Sequence, residues 1–154
     1  MNRKTDARWH DLQENISRSG CFLCRMERGF EERYLNTLFY ENITDPSIRD
    51  SLRRQGGFCP DHVRLIYRLR PSVLGIAILY ADLTKAYLED SHRGRTACSL
   101  CITRQEKEQS LKEGVVHYWK DLQPLWGSRT FLCLRHLHAE DWPKNIRQDL
   151  ESLT

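Results

Sequence analysis

Six cysteines and two of the six histidines are the residues whose types and spacing suit chemistry. They form one pattern that occurs twice. The first copy is Cys21-x-x-Cys24, then 34 residues, then Cys59-Pro-Asp-His62; the second is Cys98-x-x-Cys101, then 31 residues, then Cys133-Leu-Arg-His136. No cysteine is left over. On a turn or the first turn of a helix, C-x-x-C offers two thiolates to one ion, and C-x-x-H from another element completes a tetrahedral Cys3His set, which zinc favours. A lone C-x-x-C is often plain core, because cysteine is a well-buried residue. Two copies in register, with a histidine three residues after the third cysteine each time, point to metal instead.

The spacing predicts one site from Cys21, Cys24, Cys59 and His62, and a second from Cys98, Cys101, Cys133 and His136. Zinc in two sites is the default for a closed Cys3His set. Iron–sulfur clusters are the alternative, since histidine can replace a cysteine on a cluster. Thiol–disulfide chemistry does not account for the recurring histidine. Arg25 and Arg135 stand next to ligands and are expected to offset the net negative charge of three thiolates on a divalent ion. His10, His92 and His117 have no ligand-spaced partner, and His138 points away from His136 on a helix. Trp9, Trp119, Trp126 and Trp142 read as core or rim aromatics.

The elements that must position these residues read as helices. Apolar residues recur at helical spacing from Phe22 to Tyr40. Asp45-Pro46 starts a further helix as N-cap and first position, and Gly56-Gly57 ends it. Pro60 opens the helix that carries His62. Pro71-Ser72 opens the most apolar helix, PSVLGIAILYADLTKAYLED. Its apolar residues widen beyond the face of Ile76, Tyr80, Leu83 and Tyr87, which predicts a place near the centre of the bundle. Ser91–Thr96 is the expected linker. In the second half, a helix from about Leu100 to Leu122 is followed by a turn at Pro124–Ser128, a short helix with His136, and a last helix after Pro143. No strand of useful length is evident.

The expected fold is all-α: a single domain over 1–154, built as a helical bundle of two tandem, pseudo-twofold-related halves. These are a first repeat over 18–90 and a second over 96–154, each organised around its own C-x-x-C…C-x-x-H site.

Composition narrows the function. Forty per cent of residues are hydrophobic, 29% are charged and the formal net charge is +3, ordinary values for a soluble globular protein. That charge is too small to argue for nucleic acid. No apolar run is long enough to cross a bilayer, and the basic N-terminus has no apolar stretch behind it, so a cytoplasmic protein is expected. In a reducing compartment, cysteines at these spacings mean metal rather than disulfides. No Ser–His–Asp arrangement, glycine-rich phosphate loop or H-E-x-x-H is present, and a closed four-ligand site has no open position for substrate. A non-enzymatic protein that presents a surface to another protein is the expectation; an iron–sulfur protein for electron transfer or redox sensing is the alternative, and a nucleic-acid-binding regulator, resting on the arginine-rich helices, is the weaker one.

The stretch CFLCRMERGFEERYLNTLFYENITDPSIRDSLRRQGGFCPDH, followed by LGIAILYADL, resembles a prokaryotic family defined as a domain of unknown function, with C-x-x-C and G-F-C-x-x-H motifs in two halves. The resemblance is dense over residues 18–90 and looser afterwards, where SRTFLCLRH lacks the Gly-Gly before the third cysteine. It implies a helical, metal-ligating protein and supplies no reaction.

Overall fold

The computed structural model describes residues 7–89, 96–127, 129–139 and 141–153. The chain is all-α, with one two-residue strand pair among the described residues. Helices α1 (Ala7–Ile16), α2 (Phe22–Thr37), α3 (Pro46–Gln55), α4 (Pro60–Leu69) and α5 (Val73–Glu89) precede α6 (Ser99–His117), α7 (Trp119–Leu122), α8 (Leu134–Leu137) and α9 (Lys144–Leu153). A π-helical turn, Leu38–Asn42, continues α2. The expected linker lies outside the described residues except for Thr96, as does Ser128 of the expected turn.

Local signals set several of these boundaries. Asp45 caps α3, its carboxylate accepting hydrogen bonds from the backbone N–H groups of Ser47 and Ile48. Gly56 ends α3 at φ 72°, a left-handed conformation that glycine adopts without a Cβ penalty. The following Gly57, at φ 87°, turns the chain toward Cys59, the N-cap of α4.

The compact units do not follow the two sequence repeats. The chain divides after Arg28 and again after Gln105. One unit joins the N-terminal segment to the C-terminal one; the other is the segment between the two division points. Each has its own apolar core. In the first, Leu12 and Ile16 of α1 and Phe22 and Leu23 of α2 pack with Val115, Trp119, Leu122, Trp142 and Leu150. In the second, Leu35, Phe39, Leu52, Ile66, Leu79 and Leu100 are central.

In the first unit, strand β1 (Gly20–Cys21) pairs in parallel with β2 (Thr130–Phe131), Gly20 opposite Thr130 and Cys21 opposite Phe131. Thr130 adds a hydrogen bond from Oγ1 to the Ile16 carbonyl at 2.6 Å. Non-local pairings this short leave no alternating pattern to read in advance. In the second unit, side-chain and backbone bonds make the comparable join. Gln55 Oε1 accepts from the Ser99 N–H at 2.8 Å, and the Thr96 N–H donates to the Arg54 carbonyl at 3.3 Å.

Helix α5 departs from its expected central place. Gly75 and Leu79 are buried, and Ile76 and Leu83 pack against the core, but Tyr80 and Tyr87 of the expected inner face are exposed. The inward face is fixed by other contacts. Asp82, nearly buried, takes hydrogen bonds from Arg49 at 2.6 Å and from two nitrogens of Arg53 at 2.8 Å. A Cβ added to Gly75 would stand 2.6 Å from the Phe39 carbonyl oxygen. The small residue therefore sets how closely α5 approaches the end of α2. Among the described residues, no helix is long and apolar enough to cross a membrane.

Candidate metal centres

The eight predicted ligands come together as two quartets, with partners exchanged relative to the spacing argument. Cys21, Cys24, Cys133 and His136 form one group; Cys59, His62, Cys98 and Cys101 form the other. In each group all ligand atoms lie within 4.8 Å of one another. Each site thus takes its C-x-x-C from one sequence repeat and its C-x-x-H from the other.

Helix lengths explain the exchange. A helix going out from C-x-x-C must be matched by an equal one returning if the same repeat is to close its own site. Helix α2 has 16 residues, about 24 Å, and the return helix α3 has 10, about 15 Å. In the second repeat, α6 has 19 residues and α7 only 4. Neither return leg brings its C-x-x-H back to its own C-x-x-C.

The local presentation is the same in both quartets. Cys21 and Cys98 immediately precede α2 and α6, and Cys24 and Cys101 lie in the first turns. Cys59 and Cys133 are the N-caps of α4 and α8, both extended at ψ 163° and 162°, with the histidine three residues on. Helix N-termini favour thiolate over thiol. The first quartet has Cys21 Sγ, Cys24 Sγ and Cys133 Sγ at 3.3, 3.5 and 3.3 Å from His136 Nδ1, with Cys24 and Cys133 sulfurs 3.4 Å apart. The second has Cys59, Cys98 and Cys101 sulfurs at 3.2, 3.5 and 3.5 Å from His62 Nδ1, with Cys59 and Cys101 sulfurs 3.6 Å apart. All six cysteines are free thiols.

Each histidine turns its other nitrogen to a carboxylate. His136, fully buried, has Nε2 2.7 Å from Glu27 Oε1 and 3.7 Å from Glu108 Oε1. His62 Nε2 is 3.1 Å from Glu31 Oε1. Such carboxylates fix the ring and make the ligating nitrogen a better donor. Arg135 reaches Glu27 Oε2 at 2.5 Å and Lys112 reaches Glu108 at 3.0 Å, so both acids are neutralised. Arg104 stands 3.7 Å from Glu31.

These outer residues escaped the reading of the sequence, although a signal existed. Glu27 and Glu31 follow Cys24 by three and seven residues, and Arg104 and Glu108 follow Cys101 by the same intervals, all on one helix face. Arg25, expected to offset thiolate charge, instead donates to the carbonyls of Asn15, in the last turn of α1, and of Arg18 and Ser19 beyond it. Arg135 does lie beside its site.

The electrostatics of the quartets suit a bound cation. Burial opposes ionisation of Cys21, but hydrogen bonds from His136 and the backbone outweigh it and lower its pKa to about 6. Burial and the neighbouring sulfurs of Cys133 and Cys21 push Cys24 up to about 12. Cys98 goes down to about 7, against burial, through backbone hydrogen bonds and His62, while burial and Cys59 and Cys98 push Cys101 up to about 12. The Glu31 hydrogen bond raises His62 to about 9. His136 also rises to about 9, against burial, through Cys21 and Glu27. Without a metal, a second thiolate is too costly beside the first.

Metal entry must therefore expel protons, which sets a pH dependence. Below about pH 9, each site loses at least two protons on binding, one from histidine and one from Cys24 or Cys101. Further acidification adds one more, from Cys98 below about pH 7 and from Cys21 below about pH 6. Affinity is expected to rise with pH by at least a hundredfold per unit between neutrality and pH 9, and more steeply below it. Chelator competition at a series of pH values measures the slope.

Comparison with known proteins adds no activity. An uncharacterized 23.9 kDa protein in the xynA 3' region of Caldicellulosiruptor sp. (strain Rt8B.4) is 26% identical over 138 residues, covering 81% of this chain and 67% of that protein. No solved structure matches. Residues 12–95, which span α2 to α5 and the Cys59–His62 motif, match the family of unknown function DUF6062, and the chain belongs to that family.

Proposed function

We propose that the protein binds two zinc ions, one in each Cys3His quartet, as structural staples of a non-enzymatic interaction protein in a reducing compartment, the cytoplasm. The size of the donor sets carries the reading. Zinc bonds of about 2.3 Å to sulfur and 2.0–2.1 Å to nitrogen give tetrahedral edges of about 3.5–3.8 Å. The ligand atoms here stand 3.2–3.6 Å apart where they touch, slightly inside those edges. An iron–sulfur cluster shares its four protein ligands among two or four irons, and donors on different irons would stand farther apart than the 4.8 Å within which all four lie here.

Four protein donors leave no position for substrate water, which supports a structural role. Each site also clamps the starts of two helices that are distant in sequence, α2 with α8 and α4 with α6. Binding free energy then becomes folding free energy. The expected result is a colourless protein with about two zinc ions per chain, measured by elemental analysis after anaerobic purification. Brown protein with iron and acid-labile sulfide would overturn the zinc assignment.

A further inference from the structure

Helix α8 is too short to hold its own ligand. It has four residues, Leu134–Leu137, and His136 is the third of them. In α4, His62 is also the third residue, but that helix has ten, so the His62 carbonyl lies inside the helical hydrogen-bond ladder. In α8 the Leu134 carbonyl accepts from the His138 N–H at 3.0 Å, and there the helix ends. The carbonyls of a last turn lack helical donors, and that of His136 is among them. The indole Nε1–H of Trp142, in the segment between α8 and α9, supplies the donor at 2.6 Å, and both residues are buried.

We propose that Trp142 is a positioning residue for the His136 quartet, a role that rests on the reading of that quartet as a metal centre. The indole fixes the backbone of His136, as Glu27 fixes its ring. Both restraints are needed to keep Nδ1 aimed at three sulfurs, because a carboxylate at Nε2 stops the ring from turning but does not hold the chain that carries it. Burial of a large aromatic does not by itself produce this contact. Trp126 packs against the same core and buries its Nε1 with no partner.

Trp142 is itself held on both sides. Pro143 follows it and disfavours helical backbone at Trp142. Asp141 precedes it and accepts from Lys112 Nζ at 3.1 and 3.2 Å. The same ammonium stands 3.0 Å from Glu108, the acid that lies 3.7 Å from His136 Nε2. Lys112 thus joins the residues that face the ring of His136 to the segment that holds its carbonyl. A buried ammonium is stable only with such partners, so the charge that neutralises Glu108 also fixes the loop carrying Trp142.

Trp142→Phe keeps an aromatic ring in the core and removes the N–H. Trp126→Phe removes the same group from the same core without the loss of a hydrogen bond, and serves as the packing control. Cadmium NMR of the full chain loaded with cadmium should show one resonance for each quartet. Trp142→Phe should move one of them, the same one that Glu27→Ala moves, and should speed metal transfer to a chelator by about tenfold in one phase only. Asp141→Asn weakens the hold of Lys112 and should speed that phase by less. Trp126→Phe should leave both resonances and both phases unchanged. The role is overturned if Trp142→Phe moves neither resonance or both, or releases metal no faster than Trp126→Phe. If Trp142→Phe does not fold, Asp141→Asn decides, since the Asp141 side chain is 37% exposed; no change in release, or an equal change in both phases, overturns the role. A wild type with no cadmium resonance overturns the metal reading itself, and this role with it.

Discussion

Replacing Cys59 and Cys98 together with serine is expected to leave about one metal ion bound per chain. The two residues belong to different sequence repeats but to one quartet, so the double change breaks one site twice. Replacing Cys24 and Cys59 together breaks one ligand in each quartet and is expected to leave none. If each repeat closed its own site, the two results would be reversed. Elemental analysis after gel filtration reads the difference without any knowledge of activity. The effect on stability is also large, because binding at structural zinc sites contributes on the order of 10 kcal/mol. Loss of the Cys59 quartet frees the starts of α4 and α6, where Ile66 and Leu100 are core residues. The Cys59→Ser/Cys98→Ser protein should therefore melt in two steps, the unit holding Cys21, Cys24, Cys133 and His136 being the more resistant.

Why the sequence favoured the wrong partners is a question of what spacing encodes. The identity of the donors was legible, because C-x-x-C and C-x-x-H each describe a local geometry at a helix start. So was the Asp45-Pro46 cap, whose hydrogen bonds stay within three residues. The grouping depended on the relative lengths of α2 and α3, and the π-helical turn at Leu38–Asn42 blurs where the first ends. The β1–β2 contact joins Gly20 to Thr130 across most of the chain through two residues on each side, too short to leave a period. Helix α5 misled for a different reason. Its composition shows that both faces are apolar, but composition does not say whether the second face meets the same chain. Glu27 and Glu31 were legible in principle. Their phase with Cys24 places them on the ligand face of α2, and a search confined to cysteine and histidine passes over them.

Glu27→Ala is expected to loosen one metal and not the other. The Glu27 carboxylate is buried, and its bonds to His136 and Arg135 keep its pKa low in spite of that burial. It accepts the His136 Nε2–H and so holds the ring with Nδ1 toward the three sulfurs. Removing it leaves a donor unpaired in a fully buried ring, a loss of about 1–3 kcal/mol. Outer carboxylates of this kind typically change metal affinity by about 10–100-fold when removed. Glu27→Gln keeps an acceptor oxygen and should fall between wild type and alanine. Glu31→Ala should act on the His62 quartet in the same way but less strongly, because its bond is longer at 3.1 Å and its side chain is 16% exposed. Metal transfer to a chromophoric chelator separates the two sites by rate. Glu27→Ala should accelerate one phase, Glu31→Ala the other, and the two together both. If either single change accelerated both phases equally, the carboxylates would be supporting the fold at large rather than orienting one histidine each.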